Sequence, residues 1–274
     1  MPQPFNMISK FSWFIPLLMM GCSSPQDQQK PDTDKDIVWS DEFNYNGLPD
    51  STKWSYDVGG HGWGNNELQY YTSGRAENAR VENGHLVIEA RKEDMEGSKY
   101  TSARLVSKGK GDWTYGRIDV RAKLPKGRGT WPAIWMLAST TPLTWPDDGE
   151  IDIMEHVGFN PGFVHASVHT KKYNHVIGTQ KTDTILVPDF AEQFHVYSLN
   201  WTKDSIHVLL DDQPYFSFGN EGTGKEAWPF DQPFHLLLNI AVGGNWGGMK
   251  GVDDSIWPVR MEIDYVRVRK PAKL

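Results

Sequence analysis

A single cysteine, Cys22, in 274 residues rules out an internal disulfide and any thiol-based metal site. Positive charge is short as well. There are 28 Lys and Arg against 35 Asp and Glu, a formal net charge of −7. No basic footprint for a phosphate backbone results, so nucleic acid is not an expected partner. Helical periodicity is scarce, and residues 189–193 read as one helical turn at most. The apolar run at residues 11–20 is about half the length that a bilayer-spanning helix needs. No internal repeat is present.

What is abundant is aromatic and turn-forming. Aromatics make up 12% of the chain, with 12 Trp, and there are 26 Gly. Alternating apolar and polar positions mark strands at residues 85–91, after the turn pair Asn83-Gly84, and at 115–123, 194–201 and 205–210. The last two are joined as a hairpin. Residues 234–242 are nearly all apolar and read as a strand buried on both faces. Many short strands with Gly and Pro turns predict an all-β sandwich or barrel. No linker-like composition interrupts residues 37–270, which read as one domain.

The N-terminal 36 residues read differently. Lys10 precedes the apolar run, and Gly21-Cys22 follows it, which suits a signal peptide. A small residue directly before a lone cysteine resembles a bacterial lipoprotein cleavage site, although Met19 stands where such sites usually carry Leu. Residues 1–21 are then the leader and Cys22 the lipid-bearing residue. Residues 22–36 are polar and lack large apolar groups, as expected of a disordered tether. The expected location is the outer membrane or cell surface, reached only through the lipid anchor. The alternative is a secreted or periplasmic protein.

The most informative segment is Glu150-Ile151-Asp152-Ile153-Met154-Glu155. Its first four residues alternate as a half-buried strand, which puts Glu150 and Asp152 on one face and Glu155 on the other. One β-bulge at Ile153-Met154 would reset the phase and bring Glu155 back to that face. Clustered carboxylates raise one another's pKa values. Paired carboxyl groups in different protonation states are the apparatus of glycoside hydrolysis. A solvated outer face and a calcium site are the competing readings. Glu262-Ile263-Asp264 serves as an internal control: no third acid follows, Arg260, Arg267 and Arg269 can neutralise it, and it reads as an ordinary strand.

Segments that mix Trp and Tyr with Asn, Gln and Arg suit sugar rings, which have apolar faces and a hydroxyl rim. They are residues 62–71, 128–136 and 243–248. Trp39, Trp54 and Trp201 are assigned to the core or to structural roles. Trp246, flanked by glycines, has little to pack against within its own loop. His165, His169 and His175 invite a metal reading. The segment around the first two alternates as a strand, however, and no obvious third ligand completes a zinc site. His169 is read as directing hydroxyls or carboxylates.

Across residues 37 to about 270 the chain resembles glycoside hydrolase family 16, and within it the laminarinases, which are endo-acting β-1,3-glucanases. The six-residue acidic segment matches the bulged form of the family signature. Residues 39–43, 65–71, 129–137 and 241–246 support the match. The resemblance implies a jelly-roll β-sandwich of two antiparallel sheets with a concave substrate cleft. It implies retaining hydrolysis of β-1,3-glucan, with Glu150 as nucleophile, Glu155 as general acid/base and Asp152 tuning their charges. Trp131, Trp135 and His169 would surround the sugar nearest the cut, and Asn65, Arg104 and Trp246 would bind the non-reducing side. No cofactor is implied for catalysis. A structural calcium is implied at Glu42, the Gly84 backbone and Asp264, which reopens the reading of the control segment. Gly247 follows Trp246 where many laminarinases have Pro, which would make the loop more mobile. The partner is a β-glucan and the expected state a monomer. The runners-up are a relative cutting mixed-linkage glucan or a marine galactan, and a non-catalytic β-glucan-binding protein.

Overall fold

The computed structural model describes Met1 and residues 36–271. The leader, Cys22 and most of the tether lie outside the described residues. In chain order the strands are β1 (Ile37–Asp41), β2 (Ser55–Asp57), β3 (Gln69–Tyr71), β4 (Ala79–Glu82), β5 (His85–Met95) and β6 (Ser98–Ser102). Next come β7 (Arg104–Val106), β8 (Asp112–Trp113), β9 (Gly116–Lys123), β10 (Thr130–Ala138), β11 (Glu150–His156) and β12 (Phe163–His169). The last six are β13 (Lys181–Leu186), β14 (His195–Trp201), β15 (Ser205–Leu210), β16 (Gln213–Gly219), β17 (Phe234–Val242) and β18 (Val259–Arg269). A 3-10 turn at His175–Ile177 lies between β12 and β13.

The strands form two sheets. One runs β16-β15-β14-β9-β18-β5-β6-β3, with β1 against β18 and β4 against β5. The other runs β13-β12-β11-β10-β17-β7-β2, with β8 against β17. The expected all-β sandwich is therefore present. It departs from pure antiparallel pairing at β3 and β6, which run parallel. Two of the expected strands begin one residue late. Tyr115, at φ 68°, and Phe194 precede β9 and β14 rather than opening them. The turn at Asn83-Gly84 has φ 54° and 78°, the paired positive values that join β4 to β5 as a tight hairpin.

The core lies between the sheets. From the cleft-bearing sheet it takes Ile134 and Met136 of β10, Ile151, Ile153 and Met154 of β11, Val164, Ala166 and Val168 of β12, and alternate residues of β17. Every residue of β17 is buried. One of its faces meets the core, and the other, through Leu237, packs against Val106 and Leu137 under the cleft. Trp54 and Trp201 are fully buried. Trp39 is half-buried and meets both Trp54 and Trp113 edge-on at 5.4 Å.

Candidate active site

The decisive local feature is the bulge in β11. Against β12, Asp152 pairs with Ser167 and Glu155 with His165, so three steps on one strand match two on the other. Against β10, Met154 pairs with Ile134 and Asp152 with Trp135, leaving Ile153 as the extra residue. Ile153 and Met154 consequently both enter the core, each at 0% exposure. Their burial contributes about 1.5–3 kcal/mol each, which holds the bulge in place. Without it, Glu155 would turn into the apolar core, at the cost of an unpaired buried charge.

Glu150, Asp152 and Glu155 thus share the outer face of this sheet, in a cleft of about 860 Å³. The register lays the floor out row by row. Glu150 lies between Leu137 and His169, Asp152 between Trp135 and Ser167, and Glu155 between Ala133 and His165. Each glutamate accepts a hydrogen bond from its own indole. Trp145 Nε1 donates to Glu150 Oε2 at 2.8 Å, and Trp131 Nε1 donates to Glu155 Oε1 at 2.9 Å. His169 Nε2 stands 3.3 Å from Asp152 Oδ2 and 3.9 Å from Glu150 Oε1.

Burial raises all three acids. Glu150 is pushed up to about 8, first by burial and then by the neighbouring Asp152 charge. Glu155 is pushed up to about 7 by burial, against the opposing pull of the Trp131 hydrogen bond. Asp152, the most enclosed, is raised well above the carboxylate range by burial and then by Glu155. The three carboxyls interact with one another, so their protons come off in steps that belong to the cluster rather than to one residue.

Toward one end of the cleft, the Arg104 guanidinium sits 4.7 Å from the ring centres of both Trp63 and Trp135. Its Nε is 2.9 Å from Asp57 Oδ2. Trp135 Nε1 donates to Asn239 Oδ1 at 2.7 Å, Asn239 Nδ2 donates to Tyr71 Oη at 3.0 Å, and Tyr71 Oη donates to Glu67 Oε2 at 3.3 Å. Asn65 also reaches Glu67, at 3.5 Å. The opposite end is lined by His175, Val176, Gln180 and Thr182.

Trp246 lines the cleft, half-buried, but it is not free of packing. It meets Trp131 edge-on at 5.6 Å and His165 at 4.9 Å. Its loop is pinned rather than loose: Gly243 N donates to Gly129 O at 2.8 Å, and Asn245 N donates to Asn65 O at 2.7 Å. The expectation of a more mobile loop at Gly247 does not match this arrangement. Gly247 is buried, and a Cβ there would fall 2.8 Å from Trp131 Cβ and 2.6 Å from Gly243 O. Glycine lets the backbone close down on Trp131.

The profile of the glycosyl hydrolases family 16 matches residues 66–267. The chain belongs to that family. It is 58% identical over 264 residues to the beta-glucanase of Rhodothermus marinus, covering 93% of this chain and 92% of the relative. The X-ray structure of the laminarinase from Rhodothermus marinus superposes with a TM-score of 0.85 at 58% identity, covering 87% of this chain and 98% of the other. A non-specific endo-beta-1,3(4)-glucanase of the same family superposes with a TM-score of 0.81 at 53% identity, covering 85% and 89%.

All nine sequence-expected catalytic and sugar-binding residues of this family 16 chain line the one cleft: Glu150, Asp152, Glu155, Asn65, Arg104, Trp131, Trp135, His169 and Trp246. Sequence reasoning missed Trp145 and Asn239, and it did not single out Trp63 and Glu67 within the sugar-suited segment 62–71, or His165, as site residues. His165 was visible as the strand-mate of Ser167 and His169. Trp145 carried no signal, because it reaches Glu150 from a loop. The sequence reading set a histidine metal site aside. Among the described residues, the one group of three side chains close enough to hold an ion is Glu150, Asp152 and His169, not three histidines.

The outer-sheet triplet lies elsewhere. β1 pairs with β18 at residues 266–269 and β5 pairs with it at 259–263. The end of β1, the start of β5 and Asp264 therefore converge at the gap between these two ladders. The carboxylates there already have partners. Arg267 holds Glu42 at 2.9 and 3.0 Å, and Arg121 Nη1 lies 2.6 Å from Asp264 Oδ2. In the control segment Arg260 pairs with Glu262 as expected, at 2.8 Å, whereas Arg269 pairs with Asp119 and Arg121 serves Asp264.

Proposed function

We propose that this protein is a retaining endo-β-1,3-glucanase acting on laminarin-like glucan by double displacement. The observation that carries the reading is the bulge that turns Glu150, Asp152 and Glu155 onto one cleft face. The laminarinase relatives support it, and so does a cleft that runs across the sheet, as a mid-chain cut requires.

Glu150 attacks the anomeric carbon, and the glycosidic C–O bond breaks as Glu155 gives its proton to the departing oxygen. Water then attacks the glycosyl-enzyme ester, Glu155 takes the water's proton, and the Glu150 carboxylate is released. The Trp145 N–H and the nearby His169 favour the ionised form of Glu150. Double displacement requires Glu150 charged and Glu155 protonated, the reverse of the order in which burial leaves them in the free cleft, at about 8 and about 7. Trp131 and Trp135 offer faces to the sugars at the cut, and Asn65, Arg104 and Trp246 grip the non-reducing side. The carboxyl groups supply the chemistry without a cofactor.

Azide rescue tests the assignment. Glu150→Ala should release a glycosyl azide of inverted configuration and Glu155→Ala one of retained configuration. Anomeric inversion by the wild-type enzyme, followed by NMR, would overturn the mechanism. A panel of laminarin, mixed-linkage glucan, agar and carrageenan tests the substrate, with laminarin cut fastest. An absence of new reducing ends on every substrate would favour the glucan-binding reading.

We also propose a lipid anchor at Cys22 and a monomeric enzyme at the outer membrane or cell surface. Lys10, the apolar run and Gly21-Cys22 support the anchor. Labelled palmitate should be incorporated and lost in Cys22→Ser. Unlabelled, soluble wild type would point to a secreted or periplasmic enzyme. A structural calcium is proposed where Glu42, Gly84 and Asp264 converge. Because Arg267 occupies the Glu42 carboxylate and Arg121 pairs with Asp264, the ion would take the backbone oxygens there and displace Arg121 from Asp264. Calcium should raise the melting temperature and EDTA lower it, and no response to either would remove the ion from the proposal.

A further inference from the structure

The deepest polar groups of the cleft form a ligand set of their own. His169 Nε2 is 3.3 Å from Asp152 Oδ2 and 3.9 Å from Glu150 Oε1, and one donor atom from each lies within 4.8 Å of the other two. Two ligands each ~2.0–2.1 Å from a tetrahedral ion are about 3.3–3.4 Å apart, which is the length of the His169–Asp152 edge. Trp145 holds Glu150 by its Oε2, leaving Oε1 turned toward His169. Such fixing of a ligand's second atom is what orients donors around an ion.

A second observation is independent of this spacing. Asp152 is 2% exposed, and its Oδ2, which faces His169 Nε2 at 3.3 Å, has no hydrogen-bond partner. Buried polar atoms are normally satisfied, so an unpartnered carboxylate oxygen aimed at an imidazole nitrogen points to a ligand shared by the two. The donors are one imidazole and two carboxylates. That set suits a zinc-class cation, whereas calcium takes six to eight oxygens. The His175 ring, 5.1 Å from that of His169, adds a second imidazole at the cleft mouth.

We propose that Glu150, Asp152 and His169 bind a zinc-class divalent cation in competition with glucan, making the cleft subject to inhibition by metal. The ion would tie up the carboxylate assigned to attack. Its binding follows from the ligand geometry alone, while its effect on turnover rests on the function proposed above.

Isothermal titration of zinc chloride into the full chain, saturated with calcium beforehand, tests the site. One saturable equivalent is expected, displaced by a laminarin oligosaccharide. His169→Gln and Asp152→Asn should each weaken it at least tenfold, and His207→Gln, half-buried on β15 of the other sheet, should leave it unchanged. If circular dichroism shows either cleft variant unfolded, Glu150→Gln replaces it with the same expectation. No saturable binding, unchanged affinity in the folded cleft variants, or zinc that oligosaccharide does not displace would overturn the proposal. Turnover at sub-saturating glucan that is unaffected by bound zinc would overturn the inhibition.

Discussion

Trp135 donates its indole N–H to Asn239 at 2.7 Å, so a ring proposed to face the sugar is held by a residue of the neighbouring strand. Asn239 is tied in turn to Tyr71, and Tyr71 to Glu67. Removing the Tyr71 hydroxyl leaves Asn239 Nδ2 short of an acceptor, at a cost of about 1–3 kcal/mol. Tyr71→Phe should lower the melting temperature and raise KM for laminarin oligosaccharides several-fold, with kcat nearly unchanged. Steady-state kinetics alongside thermal denaturation check both. A fall in kcat at constant KM would mean that the chain acts on the chemistry and not on the platform.

The pH–rate profile should carry the raised acids of the cleft. As the proposed acid, Glu155 must be protonated to donate, and its pKa is pushed up to about 7. The basic limb of kcat/KM should therefore fall about tenfold per pH unit above that point. Glu155→Gln should abolish this limb and cut turnover roughly 10²- to 10⁴-fold. Asp152→Asn should lower turnover and shift both limits, because Asp152 interacts directly with both Glu150 and Glu155. An unchanged profile in Asp152→Asn would reduce Asp152 to a bystander.

The same acids set a stability gradient. A carboxyl whose folded pKa is raised binds its proton more tightly in the folded chain. Its contribution is complete below the unfolded pKa of about 4.3 and declines as pH rises toward the folded value. For Glu150 the window closes at about 8. Glu150→Gln should accordingly stabilise the protein, and by more at pH 8 than at pH 5. A difference of at least about 2 °C in melting temperature is expected, since 1 kcal/mol is roughly 2–4 °C in a domain of this size. The buried histidines His156 and His235, both lowered to about 4 by burial, act in the opposite sense. They lend stability above their unfolded pKa near 6.5 that is lost as pH falls toward 4. Replacing His156 with Gln should flatten the acid side of a melting-temperature profile.

Trp246 and Trp201 should separate grip from stability. Trp246 is half-buried in the cleft wall, and stacking a sugar on it contributes on the order of 1–2 kcal/mol. Trp246→Ala should weaken oligosaccharide binding roughly 5- to 30-fold with little loss of melting temperature. Trp201 is fully buried, meets Phe234 edge-on at 5.4 Å and donates to Phe230 O at 3.1 Å. Trp201→Ala should cost about 3 kcal/mol or more. Normal affinity in folded Trp246→Ala would place the cleft wall elsewhere.

The sequence by itself determined the all-β class, the hairpin at Asn83-Gly84, the doubly buried β17 and the six-residue acidic segment. Each is written in a local period or turn pair that one strand or hairpin realises alone. The bulge was legible too, because only a phase reset at Ile153-Met154 puts three acids on one face and two apolar residues in the core. Tertiary structure decided what depends on distance along the chain. Trp145 reaches Glu150 from a loop, Asn239 bridges Trp135 and Tyr71 across strands, and Trp246 packs on His165, which lies 81 positions earlier. Sheet order is set by which apolar faces bury one another, and no local pattern records it. Register then brings Arg104, Trp135, Asp152 and Ser167 into neighbouring rows of one floor, and burial on that floor moves the acids' pKa values.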